Sequence, residues 1–156
     1  EGLIVRARGP RRSPQGEGEP AWYNVGGSLM TDHTALLTLL DRFADAWNRH
    51  DLGALMSMMT DDCVFEASAG PQVNGQRSQG QEAVGAAFAG VFQAFPDARW
   101  TNPRHFIAGT RAVSEWTFIG THKDGKRVEV NGCDLFTLRD GKIVVKNSFR
   151  KNRLAS

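Results

Sequence analysis

Three polar residues stand where strand alternation places apolar ones. Asp134, in "RVEVNGCDLFTLR", shares its parity with Val128, Val130, Phe136 and Leu138. Counting by twos in "KIVVKNSFR" puts Asn147 beside Ile143, Val145 and Phe149, and His122 closes the stretch that carries Trp116 and Phe118. A carboxyl group on an apolar face is costly unless it has a partner or a task. Kept neutral in an apolar cavity, it could donate a hydrogen bond to a substrate oxygen; ionised, it could take a proton from carbon next to a carbonyl. Asn147, across a hairpin from Asp134, would complete a two-donor grip on that carbonyl. His122 would serve as base or proton shuttle. Each also has a plainer reading: Asp134 pairs with a neighbour or caps backbone groups, Asn147 satisfies a backbone group, and His122 is solvated at a strand end. His105 could face either side of its strand. His33 and His50 lie near helix ends, where solvent suffices.

These residues need elements to hold them. Leu36, Leu40, Phe43 and Trp47 recur at helical spacing after Thr31 or Asp32, either of which could cap the helix. A short second helix carries Leu52, Leu55, Met56 and Met59, and "CVFEAS" reads as a first strand. The loop "SAGPQVNGQ" precedes a third helix over about residues 79–95, which ends before Pro96. Four strands follow, at about 98–108, 112–122, 126–139 and 142–150, separated by "GTR", "KDGK" and "RDGK". Helices first and an antiparallel meander last define an α+β domain. The sheet must curl around the helices to cover its apolar face, and the curl leaves a hollow between sheet and helices, a candidate pocket. Phe43, Trp47, Phe65, Phe88, Phe92, Trp116, Phe118, Phe136 and Phe149 would line it, suiting a flat, hydrophobic ligand as well as ordinary core packing. The methionines nearby would fill gaps or form a pliable wall.

At 156 residues the chain is about one domain long. A net charge of +2 with scattered Lys and Arg gives no basic stripe beyond the two ends, so nucleic-acid binding is not expected. No apolar run approaches the roughly 20 residues that span a bilayer, and a cytoplasmic protein without membrane contact is expected. Cys63 and Cys133 have no metal-ligand spacing and read as buried free thiols; no metal and no cofactor is expected. "AGPQVNGQ" lacks the Lys-Ser/Thr of a phosphate loop.

Residues 1–29, rich in Pro, Gly and Arg, read as a leader upstream of Met30 or as a docking arm anchored by Trp22 and Tyr23. Residues 30–152 form the domain, and 153–156 a short tail.

The order "LLDRFADAWNRHDLGALMSMMTDDCVFE", "GQEAVGAAFAGVF" and "GCDLFTLRDGKIVVKNSF" resembles the nuclear transport factor 2-like superfamily over about residues 31–152. That resemblance implies the cone-shaped α+β barrel of ketosteroid isomerase, SnoaL-like polyketide cyclases and limonene epoxide hydrolase. The isomerase's base would fall on Ala67 and its tyrosine on Phe43, leaving Asp134 as the one surviving oxyanion residue. The hydrolase constellation would fall on Phe118, Trp116 and Ser148, so its chemistry is not implied. "IGTH" resembles the cyclases' strand end, which makes Asp134 with His122 the best match. The resemblance thus implies a small hydrophobic substrate, an isomerase or cyclase or else a non-catalytic binding module, and a homodimer formed through the open sheet face.

Overall fold

A computed structural model of the chain describes residues 25–153. Helix α1, Val25–Asn48, packs Leu39, Leu40, Phe43, Ala46 and Trp47 into the core from one side. It starts earlier than the sequence pattern suggested, and Thr31 and Asp32 lie within it. Once a helix is nucleated, each added residue costs little, so a capping residue need not stop it. Trp22 and Tyr23 lie outside the described residues. The chain leaves α1 at His50, in a left-handed conformation (φ 54°), with its ring stacked 4.3 Å from that of Phe92. The Asp51 Oδ1 atom accepts from Ala54 N at 2.9 Å and caps α2, Leu52–Ser57. Helix α3, Gln81–Ala94, buries Val84 and Phe88. The Gln81 side-chain amide donates to the carbonyls of Met56, Met59 and Thr60, tying the start of α3 to the entry of the first strand.

The strands are β1 (Met59–Glu66), β2 (Arg77–Gln79), β3 (Arg99–Ala108), β4 (Arg111–Thr121), β5 (Arg127–Arg139) and β6 (Lys142–Arg150). They form one curved sheet in the order β2-β1-β6-β5-β4-β3, antiparallel except where β1 runs parallel to β6. The β5–β6 turn has Asp140 at φ 51° and Gly141 at φ 72°, the two left-handed residues that a tight hairpin turn requires. The helices cover one face, where Trp47 and Phe88 meet with ring centroids 4.6 Å apart, and Phe136 packs edge-on to Phe43.

One irregularity governs everything downstream. Thr137 pairs with Val145 and Leu138 with Ile143, so one step along β5 matches two along β6 and Val144 has no opposite residue. This β-bulge reverses the facing of every later side chain on β6. Ile143 faces the core before it, and Lys146 and Ser148 face inward after it. Asn147, paired with Leu135 and Glu66, and Phe149, paired with Cys133 and half exposed, face the other side.

Candidate functional site

Cross-strand register aligns four polar residues on the inner face: His105 opposite Ser114, Ser114 opposite Asp134, and Asp134 opposite Ser148. Lys146 joins this row from one pleat further along β6. Its ammonium lies 2.7 Å from Asp134 Oδ1, and both side chains are almost wholly buried. The Ser148 hydroxyl donates to the same carboxylate oxygen at 2.6 Å, and Lys146 Nζ also reaches Ser148 Oγ at 2.7 Å. The other oxygen, Oδ2, accepts from the indole Nε1 of Trp116 at 2.9 Å. Lys146 Nζ stands 5.3 Å from the ring of Trp47 and 5.1 Å from that of Phe65, within cation–π range of both. Asp134 is therefore an ion-paired carboxylate holding three donors, and not an isolated acid. In a row this buried, each such contact carries more weight than it would at the surface.

Trp116 reaches Asp134 because the residue opposite it is Gly132. A β-carbon at Gly132 would collide with the Trp116 ring and with the Phe149 carbonyl. At the far end of the row, His105 Nδ1 and Ser114 Oγ are 2.7 Å apart. His105 Nε2 lies 3.2 Å from the exposed Asp41 carboxylate but is not aligned for a hydrogen bond with it.

Two cavities meet at this cluster. A small one of about 30 Å³ touches His105, Ser114, Asp134, Lys146 and Phe43. A larger one of about 420 Å³ lies between the sheet and α3, walled by Phe65, Phe118, Val91 and Ala94, with Ser148 and Arg150 on its polar side. Trp47, Trp100, Trp116 and Lys146 border both. Trp47 Nε1 is a buried donor without a hydrogen-bond partner among the described residues.

Several expected site residues stand elsewhere. Asn147 is turned away by the bulge, so it cannot grip a carbonyl beside Asp134. His122 follows the last residue of β4, eight positions from Ser114, about 26 Å at ~3.3 Å per residue and too far to act with Asp134. Its Nδ1 sits 2.9 Å from Asp124 Oδ1, at the mouth of the "KDGK" turn. His105 occupies the place in the row that His122 was expected to fill. Among the aromatics, Phe43, Trp47, Phe65, Trp116, Phe118 and Phe136 border a cavity. Phe88 is buried in the core and Phe92 packs on Trp47 and His50, so neither borders these two cavities. Phe149 borders a groove of about 730 Å³ on the opposite sheet face.

Cys63 is buried but Cys133 is half-buried, because β5 turns it to that opposite face. Burial pushes both thiols above the ordinary cysteine value, with nearby carboxylates adding to the effect, so neither is poised as a nucleophile. Among the described residues no group of three or more His, Cys, Asp or Glu is placed to hold a metal ion, and no helix is long and apolar enough to cross a membrane.

The family of SnoaL-like domains matches residues 40–146, a span containing both the bulge and the Asp134 cluster apart from Ser148. The chain belongs to the SnoaL-like domain family. Solved structures agree on the fold. A protein provisionally named a polyketide cyclase, from Xanthomonas campestris pv. campestris, is 19% identical, with 78% of this chain and 93% of that one covered at a TM-score of 0.69. An NTF2-like protein of unknown function from Mesorhizobium loti is 28% identical over 76% of this chain and 93% of its own, with a TM-score of 0.63. A protein provisionally named an isomerase, from Bacillus subtilis, is 16% identical over 77% and 88%, with a TM-score of 0.66. Among curated proteins none matches. The SnoaL-like chain thus has the NTF2-like, cystatin-like α+β fold.

Proposed function

We propose that this SnoaL-like protein binds a small hydrophobic carbonyl compound in the larger cavity and moves a proton next to that carbonyl. The observation that carries the reading is the Lys146–Asp134–Ser148 cluster, a buried acid/base set placed against an apolar space. At about 420 Å³ the space falls in the range of small-molecule sites. The Lys146 ammonium supplies the hydrogen bond that polarises the carbonyl oxygen. Asp134 supplies the basic oxygen, and the Ser148 hydroxyl, already donating to it, links that oxygen to the cavity. The proton leaves carbon for the carboxylate by way of the hydroxyl and returns by the same path to a different position, which is an isomerisation. The names of the Xanthomonas and Bacillus structures are consistent with this class.

A direct test incubates the protein with 2-acetylnaphthalene in D₂O and follows loss of the methyl proton signal next to the carbonyl by NMR. The reading expects exchange above the buffer rate, abolished in Asp134→Asn while binding of the ketone persists. Binding without exchange in the wild type would contradict catalysis. A second reading, a ligand-binding module without turnover, is favoured by the engagement of both Asp134 oxygens with internal donors, and that outcome would support it. The outer sheet face, where Phe106 and Phe149 are exposed, is on the same reading the surface for a second copy of the chain, to be checked by sedimentation.

A further inference from the structure

The larger cavity is charged on one side only. Its walls include two cations, Lys146 and Arg150, and no carboxylate. Lys146 is neutralised from behind by Asp134. Arg150 forms no ion pair among the described residues. It follows Lys146 and Ser148 at alternate positions on β6, so the three share one face of the strand, running from the buried cluster outward. Arg150 lies opposite Gly132, the residue whose missing side chain lets Trp116 lie flat across β5. Exposed Arg150 thus borders the solvent end of the cavity, as it borders two neighbouring surface grooves, and the paired ammonium stands at the inner end.

We propose that the cavity selects hydrophobic anions, with Arg150 holding a carboxylate of the ligand at the mouth while its ring system lies along Trp100, Trp116 and Phe118. This rests on the reading of the cavity as a ligand site and names its ligand class: an aromatic or polycyclic carboxylic acid in its ionised form. A guanidinium presents two parallel N–H groups that match a carboxylate, and with low-dielectric walls around it the attraction is stronger than at an open surface. The arrangement also fixes direction. With the carboxylate at Arg150, the opposite end of the ligand is the one presented to Lys146 and Ser148.

The test compares 2-naphthoate with 2-naphthamide, the same ring system without the charge, by isothermal titration calorimetry at pH 7.5. Wild-type protein is expected to bind naphthoate at least tenfold more tightly than naphthamide, and the gap should narrow with added salt. Arg150→Gln is expected to bring the two within about twofold by weakening naphthoate alone, and Arg150→Lys to keep part of the preference; circular dichroism on each variant verifies the fold. Equal affinities in the wild type, or a preference that survives Arg150→Gln, would overturn the anion proposal and leave the neutral-pocket reading standing. Binding of neither probe would overturn both.

Discussion

As far as the level of Trp116, the inner face of β4, β5 and β6 is dry at one end and polar at the other; beyond it Phe118 and Val130 are apolar again. At the dry end Ala112, Phe136, Leu138 and Ile143 pack on Leu40, Phe43 and Met59. One pleat along the same strands, Ser114, Asp134, Lys146 and Ser148 replace them. Exposure does not separate the ends: Phe136 is 1% exposed, Asp134 6% and Lys146 5%. The difference lies in what provides the burial. The dry end is closed by helix side chains that interdigitate with it, whereas the polar end is roofed by the rings of Trp47, Phe65 and Trp116, with space left beneath. The bulge at Val144 marks the border between them. It teaches that a single extra residue can switch one strand from building a core to building a site.

Substitutions on the two sides should separate them, beginning with the largest effects. Phe136→Ala and Lys146→Met should each cost about 3–5 kcal/mol in denaturant unfolding, the first by leaving a cavity and the second by leaving Asp134 buried without its counter-charge. They should part company on rescue: Asp134→Leu added to Lys146→Met should restore most of the loss, while nothing at Asp134 should help Phe136→Ala. A smaller effect, about 1–3 kcal/mol, is expected for Gly132→Ala, which forces the Trp116 ring off Asp134; a changed near-ultraviolet dichroism signal should accompany it.

The smallest effect lies outside both regions. The Arg139 guanidinium, 2.6 Å from exposed Asp62, holds that carboxyl below the usual aspartate range. A carboxyl with a lowered folded-state pKa contributes stability that is fully present above its unfolded value and disappears as pH falls through the folded one. The stability difference between wild type and Arg139→Gln should therefore be measurable but slight at pH 7, and should vanish in strong acid.

How much of this was readable beforehand follows the same border. The turns were legible, since Asp-Gly and Gly-Thr signals name the places where left-handed residues fit, and β3 to β6 lie within about two residues of where those signals put them, whereas β1 begins at Met59, four residues before the expected Cys63. Asp134 was legible as a misplaced carboxylate. Its partner was not, because Ile143, Val144 and Val145 are all β-branched and apolar, and such a run carries no polar residue to mark a change of parity. Counting through it put Asn147 and Phe149 inside and left Lys146 on the surface, where lysines usually lie. His122, just past the end of β4, is far from the level of Asp134, a distance that alternation alone does not reveal. Gly132 did leave a signal, since a glycine inside a strand often marks a close approach.

The most direct measurement is on the double variant Asp134→Leu with Lys146→Met, comparing its unfolding free energy and its affinity for 2-acetylnaphthalene with those of the wild type. If the polar end exists for ligand chemistry, the apolar replacement should unfold close to the wild type in denaturant while carbonyl binding weakens and α-proton exchange is lost. A variant that unfolds several kcal/mol more easily yet binds and exchanges the ketone as the wild type does would contradict the account, and would make the Asp134–Lys146 pair a structural element of the barrel.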